Sequence, residues 1–277
     1  MEHIKTNLID TVRQISTEKD EPEWMLEIRL KALEFYLAKA MPEWGPDLSG
    51  LNMDDINYYT TAAVKESENW ADLPSEISET FDKLGIPKAE IEYLGGVGAQ
   101  YDSNMVYHKI LESLARQGVV FENMDNAVHK YPELVKEHFS KCIKLNEHKF
   151  IALHYAFWSG GTFIYVPKGV KVGMPLQAYF RMNRERSAQF EHTLIIADEG
   201  SEIEYIEGCS APKYNFASLH AGGVEIFVKQ GAKVKYSSIE NWSRNVYNLN
   251  TKKALVYDSG EIDWLGGNLG SKVTMLY

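Results

Sequence analysis

Three stretches decide the fold: Gly200-Ser201-Glu202-Ile203-Glu204-Tyr205, Gly231-Ala232-Lys233-Val234-Lys235-Tyr236 and Gly260-Glu261-Ile262-Asp263-Trp264. Each has a glycine, a β-branched residue between charges and then an aromatic residue, which is the alternation of a strand with one face turned to a core. Ile203 and Val234 are 31 residues apart, and Val234 and Ile262 are 28 apart. A nearly constant interval containing several short strands predicts a solenoid, in which each coil buries its apolar row against the coils above and below. A sandwich or jelly roll also supplies many short strands, so periodicity alone leaves both open. The last residues, Lys272 to Tyr277, read as a strand without a cap, so the β-helix is expected to be incomplete at its C-terminal end.

The strand texture begins after Trp158-Ser159-Gly160-Gly161. Upstream, helices and loops are expected, which divides the chain into a helical region (1–156) and a β-helix core (157–277) in an α+β arrangement. Asp20 and Glu23 resemble a capping box, and Leu26, Leu30, Leu33 and Leu37 follow at helical spacing up to a stop before Pro42. Residues 75–85 and 104–118 each read as a helix closed by glycine, and further helical segments surround Pro132.

The 277 residues are 44% hydrophobic, ample for a sizeable core. A net charge of −10 argues against nucleic acid or an anionic membrane as the main partner. The first residues alternate charge with apolar side chains, unlike a secretory signal, and no run approaches a membrane span, so a cytoplasmic location is expected and the sequon at Asn241 is read as unused. Only Cys142 and Cys209 occur, which excludes a zinc site built from two local cysteine pairs and makes a disulfide framework unexpected.

Parity places Cys209 on the inward face with Ile203, Tyr205 and Glu207 if Gly208 makes no bulge. The ordinary reading of such a cysteine is a small buried hydrophobe. In the next repeat, Val234 and Tyr236 share a face with Ser238, Glu240 and Trp242, and later Lys252 shares one with Ala254 and Val256. Polar groups on an inward row must pair with one another or line a wet passage, because an unpaired one costs roughly 2 to 7 kcal/mol. Cys142 reads as helix packing, and His192 and His220 as hydrogen-bonded structural residues without metal-ligand spacing. Gly95, Gly96 and Gly98 read as a turn, since the dinucleotide fingerprint lacks its third glycine.

The runs LGGVGAQYDSNMVYHK (94–109), WSGGTFIYVPKGVKV (158–172), FEHTLIIADEGSEIEYIEGCSAP (190–212) and HAGGVEIFVKQGAKVKYSSIENW (220–242) resemble the SufB branch of the SufB/SufD family of iron-sulfur cluster assembly scaffolds. That resemblance implies a right-handed parallel β-helix, assembly with the ATPase SufC and with SufD or a second SufB, and sulfur supplied by a cysteine desulfurase or sulfur-transfer protein. It also implies that Cys209 accepts sulfur as a persulfide and that Arg181, Asn183, Glu240, Trp242 and Lys252 mark a path through the coil. Glu240 stands where better-known members have Gln. Arg181 and Asn183 have the opposite parity to Leu176, Ala178 and Phe180. The resemblance implies a scaffold rather than an enzyme, carrying a transient iron-sulfur cluster. Reduced flavin accompanies some complexes of the family, but no residue pattern assigns its site here. Two distant cysteines cannot supply the usual four cluster ligands, and no phosphate loop for ATP occurs. The rivals are a SufD-like noncatalytic subunit and a β-helix enzyme cutting acidic polysaccharides with Glu202, Glu204 and Glu207.

Overall fold

The structure, a computed structural model, describes residues 2–60, 66–67, 69–83 and 94–277. Helices α1 (Glu2–Glu18) and α2 (Glu23–Ala38) open the chain. Asp20 does not cap α2: it has a positive φ of 50°, and Pro22 occupies the capping position without a side-chain bond. The buried stripe is also rotated from the leucine row, to Met25, Arg29, Ala32, Leu33 and Tyr36, with Leu37 exposed. Arg29 causes the difference. It pairs with Glu21 at 2.5 Å, donates to the Ala156 carbonyl and lies over the Trp158 ring, so the helix turns a satisfied cation inward. Against this face packs the helix Lys149–Phe157, buried from Phe150 to its end.

A third helix, α3 (Ser75–Lys83), matches the expected segment; its closing residues 84 and 85 lie outside the described residues. The expected helix at 104–118 is corrected. Asn104–Ile110 is a strand, β2, paired antiparallel with β1 (Gly96–Tyr101), and only Glu112–Ala115 is helical before Gly118. Met105, Val106, Tyr107 and His108 are all buried, so pairing across the sheet outweighs a pattern that also fits a helical period. Gly96 and Gly98 belong to that partner strand rather than to a turn. A Cβ on Gly96 would lie 2.8 Å from Phe121 and 3.0 Å from the Lys109 carbonyl. The helices Met124–Lys130 and Pro132–His138 flank Pro132 as expected.

The remainder is a parallel β-helix of about four coils with three walls. One wall stacks β5 (Leu176–Arg181), β8 (Glu202–Ser210), β11 (Lys233–Trp242) and β13 (Glu261–Gly270), and β1 joins it in parallel beside β5. The second wall holds β6 (Ala188–Gln189), β9 (Ser218–His220), the first half of β12 (Val246–Val256) and β14 (Val273–Leu276). β3 (Val120–Asn123), β4 (Thr162–Val166), β7 (His192–Ala197), β10 (Gly223–Val228) and the second half of β12 form the third. β1 and β3 thus carry the coil's sheets into residues upstream of 157.

The repeat is the register itself. Ile203 pairs with Val234 and Val234 with Ile262, while Tyr205, Tyr236 and Trp264 stack in the same order. Each repeat is entered through a tight turn in which Ser201 N–H donates to the Asp198 carbonyl and Ala232 N–H to that of Lys229. Gly200 and Gly231 take φ of 67° and 65° there, a conformation that costs glycine little. In the third turn Ser259 holds that conformation, one place earlier than the repeat's glycine.

Candidate functional site

Inside the coil, apolar rows give way to polar ones. β8 alternates strictly, with Ile203, Tyr205, Glu207 and Cys209 inward, and its pairing with both neighbours runs through Gly208 without a bulge. β11 does the same with Val234, Tyr236, Ser238, Glu240 and Trp242. Lys252 enters from the third wall, its side chain buried although its backbone lies near an exposed strand end.

These residues form one hydrogen-bonded body. Lys252 Nζ lies 2.9 Å from Glu240 Oε1, 3.7 Å from Glu207 Oε1, and donates to Ser238 Oγ and the Tyr236 hydroxyl oxygen. Glu207 accepts from Tyr236 at 2.9 Å and Thr193 at 3.1 Å. Trp242 Nε1 donates to Glu240 at 3.1 Å, and Asn248 and Asn250 donate to the same carboxylate. Asn248 in turn accepts from His220 Nδ1 at 2.7 Å, and His220 Nε2 meets Glu191 Oε1 at 2.5 Å. Ligand atoms of Glu191, Cys209 and His220 all lie within 4.8 Å of one another.

Burial acts first on each charge, and the neighbours then decide the outcome. It pushes the Glu207 carboxyl up, Lys252 opposing. For Glu240 burial works upward too, but Lys252 and His220 outweigh it and hold the carboxyl down to about 2. Burial would lower Lys252, yet Glu207 and Glu240 raise it. Cys209 is 3% exposed, and burial followed by Glu207, Glu191 and Glu240 pushes its thiol well up, against Lys252. It sits at the margin of a buried apolar cluster with Tyr205, Tyr236 and Trp242, and the charged groups that act on it sum to an electronegative setting rather than the electropositive one of a resting thiolate. The outer face of the same strands forms a groove of about 260 Å³ against Phe81, Tyr179 and Ile239, with Cys209 among its lining residues.

Cys209, Glu240, Trp242 and Lys252 thus come together, whereas Arg181 and Asn183 do not join them. Arg181 points to the outer side at the corner of the coil, donating to Ser210 Oγ at 3.2 Å. Asn183 N–H donates to Asp102 Oδ1 at 2.7 Å at that same corner. Sequence reading missed Glu191, Asn248 and Asn250, and it took His220 for a hydrogen-bonded structural residue, as its bonds to Asn248 and Glu191 show it to be, without seeing its neighbours. A usable signal existed: His220 and Asn248 are paired in register 28 residues apart, one coil interval.

Cys142 is buried, and burial together with Glu225 pushes its thiol up to about 12. Glu225 accepts from the backbone N–H of Ser140, Cys142 and Ile143 and from Tyr155, and His192 bonds His154 at 2.9 Å beside it. Glu202 and Glu204 are paired on the surface with Lys171 and Lys235. Glu207 is inward, so these three carboxylates do not share a face on which a sugar could lie. Among the described residues no helix is long and apolar enough to cross a membrane.

Residues 6–178 match the model of the SufBD protein N-terminal region, and residues 180–277 that of the SUF system FeS cluster assembly SufBD core domain. Iron-sulfur cluster assembly SufBD family proteins of Staphylococcus haemolyticus (strain JCSC1435) and Staphylococcus aureus (strain MRSA252) are each 53% identical to this chain over 266 residues. A third, of Staphylococcus aureus (strain USA300), is 52% identical over the same length. The match covers 96% of this chain and 57% of each relative.

Proposed function

Because this chain belongs to the SufBD family of the SUF iron-sulfur assembly system, we propose that it acts as a SufB-type cytoplasmic scaffold in which Cys209 receives sulfur as a persulfide. The observation that carries this reading is the placement of Cys209, paired in register with Glu240, on an inner row whose polar groups run on through Lys252 and Trp242. A thiol sealed among hydrocarbon would have nowhere to pass sulfur.

Transfer is written without net oxidation. Cys209 Sγ loses its proton and attacks the terminal sulfane sulfur of a donor persulfide. The donor's S–S bond breaks as the new one forms, and the departing donor thiolate takes up a proton. Lys252 is the buried cation that favours both the thiolate and the persulfide anion that follows. The groove beside Gly208 runs over the outer side of the strand that carries Cys209, and Arg181, bonded to Ser210, places a cation at the adjoining corner. Asn183 would shape that corner, and Glu240, Trp242 and Lys252 the inward path.

The sulfur donor in this scheme is a cysteine desulfurase or sulfur-transfer protein. SufC hydrolyses ATP, SufD or a second SufB completes the scaffold, and the cluster itself is transient cargo. A SufD-like noncatalytic role is the alternative, and it requires no sulfur on Cys209. Persulfide labelling with the donor system distinguishes them: label is expected on the wild type and on Cys142→Ser but not on Cys209→Ser. Label that persists after Cys209→Ser removes the sulfur-acceptor role.

A further inference from the structure

We propose that Glu191, Cys209 and His220 form a buried binding site for one first-row divalent cation of the Zn²⁺ or Fe²⁺ type. The three ligand atoms lie within 4.8 Å of one another and reach the interior from different parts of the coil: the entry to β7, the end of β8, and β9. A thiolate, an imidazole nitrogen and a carboxylate oxygen suit Zn²⁺, Fe²⁺ or Co²⁺, and they leave a further position open. Ca²⁺ and Mg²⁺ prefer oxygen ligands throughout.

Two features beyond proximity mark the cluster as a ligand set. First, the orientation of His220 is dictated from outside. Asn248 Nδ2 donates to Glu240 Oε2 at 2.5 Å, so its Oδ1 faces His220 Nδ1 at 2.7 Å, and that ring nitrogen must carry hydrogen. His220 Nε2 is left to face Glu191 and Cys209, which is how histidine ligands are held ready by an outer hydrogen bond. Second, Glu191 has unspent capacity. Its Oε1 meets His220, while Oε2 is buried with no hydrogen-bond partner among the described residues. Leaving such an atom unsatisfied is disfavoured, and a metal ion would satisfy it. Gly222 leaves the space this carboxylate needs, since a Cβ there would stand 2.5 Å from Oε1.

Charge also balances. Both His220 nitrogens face acceptors, so the Glu191–His220 pair shares one proton, and Cys209 carries a second. A divalent cation replaces both, leaving the net charge of the buried cluster unchanged. A second grouping, Glu66, His108 and Glu122, differs in already holding a cation, Lys130 Nζ at 2.7 Å from Glu122.

This site does not depend on the sulfur-acceptor reading, because a thiol can bind metal without accepting sulfur and the reverse. Co²⁺ added to the reduced chain is the probe. One equivalent is expected to give a sulfur-to-cobalt charge-transfer band that Cys142→Ser retains and Cys209→Ser lacks. Asn248→Ala, which removes the outer hydrogen bond to His220 together with the bonds Asn248 gives Glu240 and Asn268 but leaves all three ligands in place, is expected to weaken binding about 10- to 100-fold. X-ray absorption of the Zn²⁺-loaded wild type covers the case of a variant that fails to fold, with one sulfur expected at about 2.3 Å and nitrogen or oxygen at about 2.0–2.2 Å. A wild-type metal shell without sulfur, or a band unchanged in Cys209→Ser, overturns the site whatever persulfide labelling gives.

Discussion

Cys209 and Glu240 occupy paired positions on neighbouring coils, both inward, with Lys252 bonded to the carboxylate from another wall. One buried cation is therefore bonded to the carboxylate and opposes the rise of the thiol beside it.

Replacing Lys252 with Met should be costly, because Glu240 and Glu207 would keep their burial and lose their cation. Breaking a buried pair from one side costs about 3–5 kcal/mol. Lys252→Met is expected to lose stability in that range in urea unfolding, and Lys252→Met with Glu240→Gln to recover part of it. Equal loss in the single and double variants would show that the two residues are not coupled.

Glu240→Gln should make the Cys209 thiol more acidic, since the Glu240 charge is one of the groups raising it. In a Cys142→Ala background, the alkylation rate of Cys209 is expected to reach its midpoint at lower pH in the Gln variant. A midpoint that moves up or stays put would contradict the electrostatic role assigned to Glu240.

Acid should destabilise the fold well before carboxylates with ordinary titration ranges take up protons. Burial lowers His108 to about 4, against Glu122, and His154 to about 3. Both folded values are depressed, so the unfolded chain takes up protons first as pH falls below about 6.5. Each group then withdraws about 1.4 kcal/mol per pH unit until its folded value is reached. Glu225 works oppositely: burial raises its carboxyl to about 7, so its contribution improves as pH falls from 7 toward 4.5. Urea midpoints at pH 7.5 and 5.5 should show a net loss at the lower pH that shrinks in a His154→Gln variant.

Ser259 carries a φ of 56° in the turn where the two preceding coils place glycine. Ser259→Gly should relieve that conformation, and with the added freedom of the unfolded chain offsetting part of the gain, stability should rise by about 0.5 kcal/mol. A drop in the urea midpoint would mean that the serine side chain contributes more than the turn geometry costs.

The sequence by itself determined the coil's interval and the inner row, while its periodicity left a sandwich open as the architecture. The 31- and 28-residue intervals are the register, and strand parity put Cys209, Glu240, Trp242 and Lys252 inside, because alternation is a local property of an extended backbone. Parity also set Arg181 apart from that row, as its bond to Ser210 on the outer side bears out. Only the tertiary structure decided what these residues meet. β1 and β2 are strands because they pair with each other and with β5, and the buried face of α2 follows Arg29 because Glu21 and the Ala156 carbonyl receive it. His220 and Asn248 on one wall and Glu191 at the entry to another converge with Cys209 on the β8 wall, so spacing along one strand cannot reveal the cluster. The Cys209 thiol is held neutral for the same reason: burial and three carboxylates around it are properties of the closed coil.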